Sequence, residues 1–287
     1  MTTLLDGKAV AAVIRKEIAA AVGEYSQRGI RPRLDAVLVG DDPEAVHYAR
    51  AKERVAKSLG IEFRLHRLPG ATNDGEFLER LQALNADSAV HGIILELPLP
   101  RHLDRARALE SISPLKDVDG VHPLNRGRLM SGIEGLYPAT PLSCLRILRA
   151  YGIEIAGKHA VIVGRGETVG KPLLFLLLGE NATVTVCHTR TADLAGHTRQ
   201  ADLLVTAAGR AGLIGAEMVK PGAVVVDAGI SAVDGGIRGD VDFGAVRGVV
   251  SAITPVPGGV GSVTTVLVLK NLLQAMKMQG VDGGGDR

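Results

Sequence analysis

Apolar positions along this chain recur with two alternating periods. Residues 6–28 follow the helical period, with Val10, Ile14, Ile18 and Val22 on one stripe. A short β-rich run covers 34–39. Asp42-Pro43-Glu44 then opens a second helix, with aspartate as the cap and proline in the first turn, and Gly60 closes it. A strand is predicted at 61–65, a helix at 74–85 and a strand at 92–97, before a loop rich in proline and aspartate over 98–123. Residues 141–151 look helical. From Lys158 the rhythm restarts, with strands predicted at 160–163, 183–187, 203–206 and 223–227, apolar on both faces as in buried parallel sheets. A last helix is predicted over 263–278, and the glycine-rich tail 280–287 has too little to bury to be ordered.

Alternating β and α units predict parallel sheets with helices on both faces. The fold class is therefore α/β: two α/β domains with a cleft between them, the second Rossmann-like. The boundaries expected are 1–122 and 123–287, with the last helix packing back on the first domain.

Composition narrows the partners. A length of 287 residues suits one large domain or two modest ones. Net charge is only +2, which argues against nucleic acid held by general charge. Two cysteines, Cys144 and Cys187, are too few and too far apart for a disulfide framework or zinc site. A reducing, cytoplasmic setting fits them. No apolar run approaches the roughly 18 residues of a membrane span, and no signal peptide is expected from the first residues. Aromatics are 3% of the chain with no tryptophan, so the core is expected to be aliphatic and rings for stacking on a flat ligand are few.

Gly164-Arg165-Gly166-Glu167-Thr168-Val169-Gly170 follows a predicted buried strand and leads into a helix near Lys171-Pro172. Such a turn aims backbone N–H groups and a positive helix end at a phosphate. Its GxGxxxG spacing is one residue longer than the usual dinucleotide fingerprint, and a tight βα turn holding no ligand has a similar sequence. NAD sites usually carry Asp or Glu at the end of the next strand to hold the ribose hydroxyls. Here the chain reads Cys187-His188-Thr189-Arg190-Thr191, with no carboxylate and with Arg190 and Arg165 available to a 2′-phosphate. NADP is therefore expected over NAD, unless both arginines are merely solvated surface residues.

The second predicted helix holds a charge out of place. Tyr48, Lys52, Val55 and Leu59 fall on one stripe, with Arg50, Glu53, Arg54 and Lys57 opposite. A lysine on an apolar stripe either snorkels to the edge or loses hydration and becomes fit for proton transfer. Glu96, near the carboxyl end of an apolar strand, is the natural partner for it. Lys116-Asp117-Val118-Asp119-Gly120 forms a third polar cluster. Two aspartates two apart lack the further oxygen ligands a metal needs, so no metal is expected; they suit a polar ligand or a simple Asx turn.

Together these residues resemble the bifunctional methylenetetrahydrofolate dehydrogenase/cyclohydrolase family of the bacterial FolD type. The likeness runs nearly the whole chain: Val39-Gly40-Asp41-Asp42-Pro43, Tyr48 and Lys52 as YxxxK, Leu97-Pro98-Leu99-Pro100, the Lys116 to Gly120 cluster, the glycine loop, Asp227-Ala228-Gly229-Ile230, Gly239-Asp240-Val241, and Thr254-Pro255-Val256-Pro257-Gly258-Gly259-Val260-Gly261. The resemblance implies oxidation of 5,10-methylenetetrahydrofolate with NADP and hydrolysis of the methenyl product to 10-formyltetrahydrofolate, in one-carbon metabolism, by a homodimer. It implies Lys52 as the essential lysine, with Tyr48 stacking on the folate and Asp119 anchoring the pterin. Pro257, Gly258 and Gly259 would line the folate site, and Gly164, Arg165, Gly166, Thr189 and Ile230 would touch NADP.

The family usually carries glutamine where this chain has Glu96. It usually has Ser at Ala45, Cys at Ala139 and Pro at Ser262. A carboxylate beside a lysine favours the ammonium form and opposes a neutral-amine base, unless the two share one proton as a coupled unit. The expectation is a retained dehydrogenase with a cyclohydrolase that is weak or shifted in pH. Two other readings are a non-catalytic NADP-binding regulator and a dehydrogenase for a shikimate-like acid. Loss of Lys52 or of the 257–261 stretch would favour the first, and a Lys/Asp pair without that stretch the second.

Overall fold

The structure, a computed structural model, describes residues 1–233 and 236–281. The chain opens with β1 (Thr3–Leu4), α1 (Gly7–Gln27) and β2 (Arg33–Val39). Then come α2 (Pro43–Ser58), β3 (Glu62–Leu68), α3 (Asp74–Ala86) and β4 (Gly92–Leu95). Three helices follow, α4 (Arg105–Ser111), α5 (Pro123–Met130) and α6 (Ala139–Ala150). The βα rhythm resumes with β5 (His159–Val163), α7 (Gly170–Gly179), β6 (Thr183–Cys187), α8 (Leu194–Thr198), β7 (Leu203–Thr206) and β8 (Val224–Asp227). The remaining elements are the hairpin β9 (Ser231–Val233) and β10 (Gly236–Arg238), then α9 (Phe243–Val246), β11 (Ala252–Ile253) and α10 (Val260–Met278).

Capping sets several boundaries. Asp42 accepts the Ala45 N–H at 2.9 Å with Pro43 in the first turn of α2, as its sequence predicts. Asn73 accepts from Glu76 ahead of α3. Asp104 accepts from Ala106 and Arg107, and so starts α4 inside the stretch expected to be a loop. That cap, followed by buried Ala108 and Leu109, was too short a pattern to stand out.

Other expectations shift. The buried face of α2 is Ala45, Ala49 and Ala56 rather than the stripe through Tyr48 and Val55. Lys52, at helical spacing from those alanines, still faces inward. Strand β6 lies at a sheet edge and is half exposed, so it lacks two apolar surroundings. The last helix starts at Val260, three residues early. Of the tail expected to be disordered, 282–287 lie outside the described residues.

The chain divides into two compact units, neither continuous in sequence. One comprises residues 1–13, 129–132 and 138–264. Its six-stranded parallel sheet has the order β1-β11-β8-β7-β5-β6. The amino-terminal strand β1 belongs here because Thr3 and Leu4 pair with Ala252 and Ile253. The strand order reverses after β6, returning past β5 to β7, so β5 and β7 flank a topological switch point. Val161, Val163, Leu204, Val225 and Ile253 are among its core residues.

The other unit comprises residues 14–128, 133–137 and 265–287. Its parallel sheet has the order β3-β2-β4. Val37, Phe77, Leu81, Ile93 and Leu109 pack in its core, the phenylalanine filling space that an aliphatic core was expected to fill. Among the described residues, no helix is long and apolar enough to cross a membrane.

Candidate active site

Glu96 directly follows β4, and its N–H still pairs with Val37 O at 2.9 Å. Its carboxylate thus emerges at the carboxyl edge of the three-stranded sheet, 4% exposed. Across from it, α2 directs Lys52 inward. Lys52 Nζ donates to Glu96 Oε1 at 2.9 Å and Oε2 at 2.7 Å. The lysine side chain keeps 18% of its surface open to solvent, so the pair is sheltered yet reachable. One turn earlier on α2, Tyr48 stands 41% exposed beside His47, their ring centroids 6.0 Å apart. An exposed aromatic face next to a sheltered ion pair can carry a flat ligand.

Asp119 completes the cluster. Loop 116–120 runs alongside β4, joined by the Ile93 N–H to Lys116 O bond at 2.7 Å. Asp119 is half-buried, and desolvation pushes its carboxyl up to about 6. The charges of Glu96 and Asp117 add to the rise, and Lys52 opposes it. Lys52 therefore acts on two carboxyl groups, on Glu96 through hydrogen bonds and on Asp119 through its charge. Lys116 does not join them. Its ammonium donates to Leu84 O, Asn85 O and Asp87 O at the end of α3, and desolvation lowers its pKa.

In the six-stranded unit the glycine turn joins β5 to α7. Gly164 has φ of +127°, and a Cβ there would lie 2.2 Å from Ala207 O. A Cβ on Gly170 would lie 2.1 Å from Gly164 O. Both positions thus exclude any side chain, while a Cβ on Gly166 meets nothing within 4 Å. The turn is tight at its ends and open in the middle, a shape compatible with a phosphate lying against its backbone. It lies at the switch point between β5 and β7, where open α/β sheets bind ligands. Gly164 N–H also bonds to Cys187 O at 2.8 Å, so Arg165 and the segment His188-Thr189-Arg190 leave adjacent strand ends. Both arginines are exposed.

The proline-glycine stretch belongs to this same unit. Gly258 has φ of +107° and accepts the Gly7 N–H through its carbonyl at 2.9 Å. A Cβ on Gly259 would lie 2.4 Å from Pro255 O. Ile230 is 43% exposed, and its Cδ1 would lie 3.8 Å from a Cβ on Gly261. Tyr48, Lys52, Glu96 and Asp119 thus lie in one unit, and the glycine turn, Thr189, Arg190, Ile230 and 257–259 in the other.

Asp227 and Asp240 stand in the motifs that carry the family resemblance, with no role evident from the sequence. Asp227 accepts from Thr206 Oγ1 and the N–H groups of Gly229, Asp240 and Val241. Asp240 accepts from Ala208, Gly209 and Arg210. These buried carboxylates fix the loops at the carboxyl edge of β7 and β8. An aspartate closing the apolar run Val224-Val225-Val226 was the available signal. Among the described residues there is no group of three or more His, Cys, Asp or Glu able to hold a metal ion.

Residues 5–119 match the catalytic domain of tetrahydrofolate dehydrogenase/cyclohydrolase, and residues 138–280 its NAD(P)-binding domain. The chain is 57% identical over 281 residues to the bifunctional protein FolD of Pelotomaculum thermopropionicum, covering 98% of this chain and 99% of that one. The crystal structure of the bifunctional FolD methylenetetrahydrofolate dehydrogenase/cyclohydrolase from Campylobacter jejuni superposes with a TM-score of 0.95 at 44% identity, covering 97% of this chain and all of that one (100%). The Trypanosoma brucei dehydrogenase-cyclohydrolase, complexed with NADP cofactor and inhibitor, gives 0.92 at 37% identity, with coverage of 97% and 98%.

Proposed function

The chain belongs to the tetrahydrofolate dehydrogenase/cyclohydrolase family, and we propose that it oxidises 5,10-methylenetetrahydrofolate with NADP and hydrolyses the methenyl product to 10-formyltetrahydrofolate. The observation that carries this reading is the sheltered Lys52–Glu96 pair with Asp119 beside it, in a chain that also holds a phosphate cradle.

The two steps ask different things of the protein. The methylene carbon lies between two nitrogens whose lone pairs stabilise the cation left when hydride departs, so oxidation requires no base. Bound NADP would supply the hydride acceptor. The six-stranded unit has only to hold and orient the cofactor, through the glycine turn, Thr189 and Ile230. Arg165 and Arg190 favour the 2′-phosphate over a bare ribose. Hydrolysis adds water to the methenyl carbon, opens one carbon–nitrogen bond and releases a proton. Lys52 handles protons there, Tyr48 stacks on the folate, Asp119 anchors the pterin, and Pro257, Gly258 and Gly259 line the folate site.

Glu96 changes the second step. Both of its oxygens accept hydrogen bonds from Nζ, whereas a glutamine amide offers a single oxygen acceptor and no charge. Hydrolysis is therefore weak or moved in pH relative to oxidation. The free, buried cysteines suit a cytoplasmic enzyme, and the resemblance alone supports a homodimer. Mixing the protein with methylenetetrahydrofolate and NADP tests the reading: NADPH accumulates, and faster than NADH does from NAD. Absence of NADPH overturns it.

A further inference from the structure

The loop that carries Asp119 is gripped by three side-chain amides, two of them from the far carboxyl-terminal end of the described chain and one from the helix that follows the loop. Asn271, on α10, donates through Nδ2 to Val118 O at 2.8 Å and Tyr137 O at 2.9 Å. Asn125, on α5 and 1% exposed, donates to Asp117 Oδ2 and Pro114 O, both at 2.9 Å. Gln279, just past α10, donates to Leu115 O at 2.9 Å and His91 O at 2.8 Å. Every partner is an acceptor, so each amide is fixed with its NH2 toward the loop.

Asp117 tightens the same loop from within, accepting the N–H groups of Val121 and His122 at 3.1 and 2.8 Å. Packing adds a steric constraint. A Cβ on Gly92 would lie 2.5 Å from Val118 Cγ1 and 2.7 Å from Leu272 Cδ1. β4, the loop and α10 therefore meet without slack, on the strand that Glu96 follows.

We infer that Asn271 and Asn125 are positioning residues for the folate chemistry, fixing the loop so that Asp119 stays beside Lys52 and Glu96. The inference deepens the functional reading above and rests on it. Asn271 matters most, because its partner is the peptide joining Val118 to Asp119. Gln279 grips the loop four residues before Asp119, so its loss weakens the unit without re-aiming that carboxylate.

The test compares Asn271→Leu with Gln279→Leu in the full-length protein, measuring thermal stability, NADP affinity and folate kinetics across pH. Asn271→Leu is expected to lower kcat/KM for methylenetetrahydrofolate about tenfold to a hundredfold, the range set by a displacement near 1 Å, and to move the pH profile of folate use. NADP affinity stays unchanged. Gln279→Leu is expected to lower stability comparably with little effect on folate kinetics. Should leucine at 271 prevent folding, Asn271→Ala, which removes the donor with less bulk, is read in the same way. Folate kinetics at wild-type level in Asn271→Leu, or a fall matched by Gln279→Leu at equal stability, overturns the inference. A wild-type protein that forms no NADPH overturns the functional reading and this inference with it; an active wild type with an insensitive Asn271 variant overturns this inference alone.

Discussion

The ammonium of Lys52 donates to both carboxylate oxygens of Glu96, at 2.9 and 2.7 Å, between side chains 44 positions apart in sequence. The carboxylate is almost wholly buried and the lysine largely so. Removing either partner therefore exposes the other's need for it.

Lys52→Met leaves the Glu96 carboxylate buried without its donor. Stability is expected to fall by about 1–3 kcal/mol, and adding Glu96→Gln should restore most of that. Hydrolysis of methenyltetrahydrofolate should fall by about 10²- to 10⁴-fold with the loss of the proton-handling group, while NADP affinity holds. Denaturant unfolding of both variants and a hydrolysis assay check this. An unchanged hydrolysis rate contradicts it.

Asp119 carries a built-in pH signature. Its carboxyl, pushed up to about 6, binds a proton more tightly folded than unfolded. The folded state is therefore favoured by this group at low pH, and that contribution is lost as pH rises toward and through about 6. Asp119→Asn should accordingly stabilise the protein above that pH by on the order of 1–2 kcal/mol, a value discounted for the solvent the residue still meets. The gain should shrink toward acid pH. Unfolding measured across pH checks this, and a gain independent of pH contradicts it.

The glycine turn separates two kinds of glycine. Gly164→Ala places a methyl 2.2 Å from Ala207 O at a φ of +127°, so NADP binding and stability should both suffer, stability by about 1–3 kcal/mol. Gly166→Ala meets nothing within 4 Å and should fold normally. Its effect should be confined to cofactor affinity, read by calorimetry with NADP.

Cofactor choice should follow the arginines. Arg190→Ala and Arg165→Ala are expected to raise KM for NADP, each by about tenfold for one charge-assisted phosphate contact, and to leave KM for NAD unchanged. Equal effects on both cofactors would contradict a 2′-phosphate role.

Much of this architecture was legible in the sequence because its signals are local. Strand 203–206 stands where an apolar run between turn residues puts it, and 183–187 where a run of β-branched residues does. The start of α2 follows from Asp42 and Pro43 alone. Lys52 and Glu96 were legible as charges against an apolar pattern, and their pairing followed from the cost of burying either by itself. Long-range features were not legible. Thr3 and Leu4 are too short a run to reveal that β1 pairs with β11. The alanine face of α2 was hidden because Tyr48 and Val55 outweigh Ala45, Ala49 and Ala56 in any hydrophobic count. Asn125 and Asn271 look like ordinary polar positions until the fold brings them to the carbonyls and carboxylate around Asp117 and Val118.

The most direct measurement is hydrolysis of methenyltetrahydrofolate by the wild-type protein and by Glu96→Gln across pH, with NADP-linked oxidation followed alongside. The glutamine variant is expected to hydrolyse faster or with a displaced pH profile, because Nζ no longer faces a carboxylate, while oxidation changes little. Superimposable hydrolysis profiles for the two proteins would contradict it.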